Sequence, residues 1–202
     1  KHEKFIYTEH FYDNGIISSR STYERIPEYE LKPPPLHRAL LCIEGRKAFG
    51  FCQDFYRNGK LTMEVPLQGK KYHGAYRTYH ENGQPWALEY YFKNRVHGPA
   101  FGWYDNGQLD YRGQYKDGKQ WGIWEFFHET GGLWYTGEYQ GEDISVGEWR
   151  EYDEKGNLQS IKNYNGEGCP DGVFFEFDAK GNIRSIKVYD DNKLIEEIKG
   201  KN

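Results

Sequence analysis

Glycine recurs in this chain with a period that leaves little choice of fold. One glycine closes a short segment in FYDNG, FYRNG, YHENG, WYDNG, FHETG, YDEKG and FDAKG, at Gly15, Gly59, Gly83, Gly107, Gly131, Gly156 and Gly181. The last six stand 24, 24, 24, 25 and 25 residues apart. A second glycine precedes each of those six by nine residues, at Gly50, Gly74, Gly98, Gly122, Gly147 and Gly172. Four residues before the closing glycine there is always an aromatic: Phe11, Phe55, Tyr79, Trp103, Phe127, Tyr152 and Phe177. Two after it comes Ile, Leu or, at Pro85, proline; eight after it comes Tyr or, at Leu67, leucine. Self-similarity at a fixed period of this size marks a repeat architecture.

Positions two and eight share parity, so they face the same side of a strand, and each unit reads as two strands. Turns such as Glu81-Asn82-Gly83-Gln84 and Asp105-Asn106-Gly107-Gln108 carry Asn-Gly, a strong hairpin signal because both residues tolerate positive φ. Lys116-Asp117-Gly118-Lys119 reads as the return turn, so hairpin follows hairpin and no room is left for helices. The predicted fold is all-β: an elongated, single-layer antiparallel meander of repeated hairpins, about 14 strands in all, with surfaces but no pocket. Residues 1–23 form a partial N-terminal repeat and 24–41 a proline-containing insertion around Pro33-Pro34-Pro35. Residues 42–193 hold six hairpin repeats, and 194–202 a C-terminal tail or capping strand.

Composition agrees with strands separated by tight turns. Aromatic residues make up 18% of the chain, with 18 Tyr, 12 Phe and 6 Trp against one Met, and there are 24 Gly. The net charge of −4 argues against a general nucleic-acid binder. It hides an asymmetry: residues 1–100 hold 15 Lys and Arg against 11 Asp and Glu, residues 101–202 hold 12 against 20. Cys42, Cys52 and Cys169 lack CxxC spacing, so neither a disulfide framework nor a zinc site is indicated. Free thiols suit a cytoplasmic location; the chain opens Lys-His-Glu-Lys without Met, so a periplasmic one follows if a leader was removed.

With the register fixed, Tyr111-Arg-Gly-Gln-Tyr-Lys-Asp-Gly-Lys-Gln-Trp-Gly-Ile-Trp-Glu-Phe-Phe resembles the MORN repeat, and His73-Gly74 and His97-Gly98 match its frequent His-Gly pair. The likeness spans roughly residues 45–193 and is nearer to the bacterial repeat-variant branch, which includes YwqK-type antitoxin-like proteins. It implies a repeat sheet used for binding, without catalytic machinery or cofactor, and a protein partner such as a secreted toxin that the chain neutralises. The alternatives are a structural or assembly scaffold and, ranked below it, peripheral membrane attachment. The acidic C-terminal half and the lack of a polybasic cluster argue against the membrane role.

No GxSxG, Walker-type loop or HExxH occurs, so no catalytic, cofactor or metal site is expected. His73 and His97 fall one period apart and His80 and His128 two, which marks them as repeat positions. Binding residues are sought where units differ. Trp86 and Trp134 stand three residues after the closing glycine, opposite the Leu and Tyr ladder, and Tyr90 shares their parity. The three rings are candidates for an exposed aromatic patch; cross-strand pairing is the competing reading. An acidic group, Glu142, Asp143, Glu148, Glu151, Asp153 and Glu154, is the candidate surface for a basic toxin cleft.

Overall fold

The computed structural model describes residues 5–24, 49–69 and 71–200. All regular elements among them are β-strands, paired antiparallel in the order of the chain, so the all-β antiparallel meander is the observed fold. The chain divides into two compact units, residues 1–97 and 98–202. The first carries β1 (Phe5–Phe11), β2 (Ile17–Glu24), β3 (Phe49–Phe55), β4 (Leu61–Gln68), β5 (Lys71–Tyr72), β6 (Gly74–Tyr79) and β7 (Pro85–Phe92). Strand β8 (Arg95–Trp103) contains the division. The second carries β9 (Leu109–Lys116), β10 (Lys119–Phe127), β11 (Leu133–Gln140), β12 (Ser145–Tyr152), β13 (Leu158–Tyr164), β14 (Gly172–Phe177), β15 (Ile183–Asp190) and β16 (Lys193–Lys199).

The described residues hold sixteen strands, against about 14 expected. The two beyond the paired strands of the seven units are β5, a two-residue piece paired with β4, and β16, where a tail or capping strand was expected. The proline-containing insertion lies outside the described residues apart from Glu24, the last residue of β2.

The closing glycine acts differently from the Asn-Gly expectation. At Tyr104–Gly107 the Gly107 N–H donates to the Tyr104 carbonyl at 3.0 Å, and the Tyr104 N–H donates to Gln108 at 2.9 Å. The turn therefore starts one residue earlier than predicted, and only Gly107 has positive φ, +85°. This is a type I turn closed by a glycine bulge. Asn106 contributes through its side chain instead: Oδ1 accepts the Gln108 N–H at 2.8 Å, and Nδ2 donates to the Glu129 carbonyl of the next turn at 3.1 Å. Where Lys replaces Asn, the job moves to Asp153, whose carboxylate accepts the N–H groups of Lys155 and Asn157 at 2.9 and 2.8 Å. The two-residue turns with both φ positive are the return connections, Lys93-Asn94, Asp117-Gly118 and Asp191-Asn192.

Turns on the same margin are stapled to one another. In three turns the residue that opens the turn reaches the carbonyl of the aromatic that precedes the next one: Tyr12 to Phe55 at 2.8 Å, Tyr56 to Tyr79 at 2.7 Å, Tyr104 to Phe127 at 2.6 Å, each by its hydroxyl. His128 makes the equivalent contact to Tyr152 through Nε2 at 2.9 Å. The turn histidine is thus a repeat position with a bonding role.

Burial is confined to one face. In the first unit Met63, Val65 and Leu67 of β4 are buried with Ser21 and Thr78. In the second, Trp124 is 1% exposed, and Trp149 and Ala100 are also buried. Trp124 lies over Gly113 of β9, between Tyr111 and Tyr115 at ring distances of 5.8 and 5.1 Å. Trp149 repeats this over Gly137, between Tyr135 and Tyr139 at 6.0 and 4.9 Å. The Tyr-x-Gly-x-Tyr segment is therefore a seat for the tryptophan of the next strand. A Cβ added at Gly113 would overlap the Trp124 ring. Gly113→Ala is expected to destabilise the protein by about 2 kcal/mol through overpacking, measured by urea unfolding; Gly118→Ala, whose Cβ meets open space, controls for backbone strain alone.

Candidate functional site

Alternation along the strands leaves a ring face, carrying the Tyr and Trp ladder, and a reverse face. On the ring face of the second unit, Tyr135, Tyr139, Trp149, Glu151, Lys162 and Tyr164 line an open cleft of about 280 Å³. A flat surface was expected there; the standing rings give it relief. Glu151 accepts from the Ser160 hydroxyl at 3.0 Å and from Lys162 Nζ at 3.4 Å. One repeat later, Glu176 accepts from Ser185 at 2.8 Å and Lys187 at 3.0 Å. The hydrogen bonds from Lys187 and Ser185 hold the Glu176 carboxyl below its ordinary value. Burial pushes the Tyr135 and Tyr139 hydroxyls up.

The ring face of the first unit has different chemistry. Tyr72, Tyr76 and Tyr91 meet with ring centroids 5.2 to 6.1 Å apart. Glu89 stands directly across from Tyr76 and accepts from the Tyr91 hydroxyl at 3.3 Å. Burial pushes the Glu89 carboxyl up, and does the same to Asp54. The Tyr76 hydroxyl is raised by burial first, then by the negative charges of Glu89 and Asp54. Among the described residues no cation pairs with either carboxylate.

The predicted tryptophans stand where two hairpins bulge, each skipped by the strand register, and Trp134 lines the ring-face cleft beside Tyr135. Trp86 and Tyr90 stand exposed in the first unit at 53% and 38%, and Trp134 in the second at 40%. Trp86 packs against His80 at 5.9 Å, and Trp134 against His128 and Tyr135 at 5.7 and 4.7 Å, so each is both a ring pair and a surface group. On the reverse face of the second unit, Ile123, Thr136, Glu138, Val146, Glu148 and Arg150 line a shallow depression of about 260 Å³. Ile123 is 68% exposed.

The acidic group does not gather. Glu142 and Asp143 occupy the turn after β11, and Asp153 and Glu154 the turn after β12, on the opposite margin. Glu148 and Glu151, three apart, point to opposite faces. Glu148 pairs with Arg150 at 2.6 Å, Glu142 with Lys119, and Glu151 with Lys162. Asp153 caps its own turn, which holds its carboxyl below the ordinary value. Only separate pieces of that group share a surface with the tryptophans.

Missed altogether was the column six residues after each closing glycine: Ser21, Val65, Glu89, Gly113, Gly137, Lys162 and Lys187. It lies in the middle of the ring face, opposite Cys52, Tyr76, Ala100, Trp124, Trp149 and Phe174. Comparing units at that position alone would have singled out Glu89.

Tyr-x-Gly-x-Tyr, the tryptophan seated on it and the glycine-closed turn recur together, and known families bear on that combination. Four segments of the chain match the MORN repeat variant, at 72–94, 96–117, 122–140 and 145–165. These MORN segments span β5 to β13, with the cleft and both tryptophans inside them. Repeats of this kind are protein- or membrane-binding modules. Strands β1–β4 and β14–β16 lie outside the matched segments, and their hairpins close with the same glycine turn. No curated protein matches the chain.

The raised Glu89 pKa has a checkable consequence. Its folded-state value exceeds the unfolded one, so the stability tied to this group is intact below the unfolded carboxylate range and is lost as pH rises through the folded value. Glu89→Gln should therefore be more stable than the parent at neutral pH. The difference should vanish below about pH 4, where the parent carboxyl is also neutral. Urea unfolding across that pH range measures it.

Proposed function

We propose that the chain is a non-catalytic protein-binding module that neutralises its partner by direct contact, as an antitoxin or immunity protein does to a toxin, and that it works in the cytoplasm. What carries this reading is the reverse face of the second unit. There Ile123 stands exposed beside Val146, with Glu138 and Glu148 next to them. An exposed apolar group rimmed by polar residues is the character of a protein contact surface. Glu138 and Glu148 add a preference for a basic partner, in keeping with the excess of acid over base in residues 101–202. The repeat-variant match supports a binding role of the same general kind.

A second reading, assembly of a scaffold, is favoured by β16. It pairs with β15 on one side, and Leu194, Ile195 and Ile198 on it are exposed at 46 to 55%. An exposed strand with apolar side chains is a template for pairing with another chain.

The two are separated by experiment. Captured from its native source, the chain should retain a protein whose expression alone arrests growth and whose effect is relieved by co-expression. Ile123→Ala with Glu138→Ala should weaken that binding at least tenfold without altering the unfolding midpoint by more than about 3 °C. Concentration-dependent association of the chain alone, abolished by Ile195→Lys, with no protein retained, would replace neutralisation with assembly. Retention on phosphoinositide vesicles in place of a protein would overturn both.

A further inference from the structure

The column in the middle of the ring face changes chemistry along the chain, and its contents show what that face accepts. In β13 and β15 it holds Lys162 and Lys187, paired across the strands with Trp149 and Phe174. Each lysine sends its ammonium to a carboxylate on the same face, Glu151 or Glu176. The later repeats therefore tie a lysine of this column to an acid on the same face, with an aromatic residue directly across the strands. In β7 the same column holds Glu89, with the acid reversed into the lysine's place. Around it stand Tyr76 directly across, Tyr91 two residues along, and Tyr72 in ring contact with both at 6.1 and 5.8 Å. Asp54 adds a second half-buried carboxylate on the same face, across β4 from the strand that carries Tyr76.

An acid held among aromatic rings, without a cation among the described residues, is an unfavourable arrangement for the chain alone. It becomes favourable when a cation arrives, because ring faces and carboxylates attract positive charge together. We propose that Tyr72, Tyr76, Tyr91 and Glu89, backed by Asp54, form a cage that receives a lysine or arginine side chain of a protein partner. The cage deepens the binding role proposed above and rests on it, but on a different face and in the other unit. Its occupant is a basic side chain because two half-buried carboxylates stand there without a partner cation among the described residues, and two later repeats satisfy an acid of this face with lysine. Glu89 and Asp54 supply the charge, and the rings supply the walls that exclude water from it.

The test is an amide NMR titration of the intact chain with three capped peptides, acetyl-Gly-Gly-Lys-Gly-Gly-amide, its Arg counterpart and its norleucine counterpart. The Lys or Arg peptide should shift residues 72–76 and 88–91, whereas norleucine, with the same stem and no charge, should leave them in place. Glu89→Gln should weaken the basic peptide at least tenfold. Glu89→Lys should abolish binding while the rest of the spectrum is retained, since the same column carries lysine in two other repeats. If either variant at position 89 fails to fold, Asp54→Asn, on another strand, should still weaken binding severalfold. Equal shifts with norleucine, shifts centred on residues 135–164, or an affinity unchanged by Glu89→Gln each overturn the cage. Failure of the peptides while the chain still retains its protein partner removes the cage and leaves the binding module standing.

Discussion

A sheet of one layer has no second layer to cover its apolar face, and this constraint shapes everything else in the molecule. The chain meets it by laying large rings flat on glycine. Trp124 on Gly113 and Trp149 on Gly137 are buried by neighbours of their own sheet, with tyrosines on both sides acting as walls. The stabilisation comes from ring area removed from water and from edge-to-face geometry. In these two repeats it requires glycine beneath, tyrosine two residues to either side, and a turn that keeps adjacent strands in register. The glycine-closed turn recurs in every unit, whereas the seat belongs to the repeats that hold Trp124 and Trp149.

Much of this was legible in the amino-acid sequence because it depends on residues a few places apart. Strand positions followed from parity, and turn positions from glycine. The turn type was less accessible, since Asn-Gly fits both a two-residue turn and a bulge-closed one. The Gly107 hydrogen bond to Tyr104 decides between them, and it places Asn106 as a side-chain acceptor rather than a positive-φ residue. Parity put Trp86, Tyr90 and Trp134 on the face opposite the Tyr ladder; the bulges at Trp86 and Trp134 interrupt that alternation, and Trp134 lines the cleft beside Tyr135. The acidic residues from Glu142 to Glu154 were grouped by their closeness along the chain. Alternation separates Glu148 from Glu151, and successive turns lie on opposite margins, so closeness in number does not become closeness in space. Glu89 escaped notice because units were compared three residues after the glycine and not six.

A frame held by backbone pairing and turn glycines tolerates replacement in the column between them. Valine at 65, glutamate at 89, glycine at 113 and lysine at 162 occupy equivalent places while the hairpins around them keep their form. The same scaffold therefore presents an apolar core, a pair of carboxylates, a tryptophan seat and an internal ion pair at successive points along the chain. Recognition is expected to be local, with different stretches offering different chemistry, rather than a property of the sheet as a whole.

The staples between neighbouring turns end at Asp153. A carboxylate has no proton to offer the carbonyl of Phe177, and this one is already committed to Lys155 and Asn157. Beside that margin, β13 and β14 pair at Ser160–Glu176 and Ile161–Phe175, Tyr164 bridges Pro170, and the Asn163 amide donates to the Val173 carbonyl. From Asp153 onward the turn residues are spent on their own loops, so cohesion between the last hairpins falls to the strands and their amide side chains rather than to the margin.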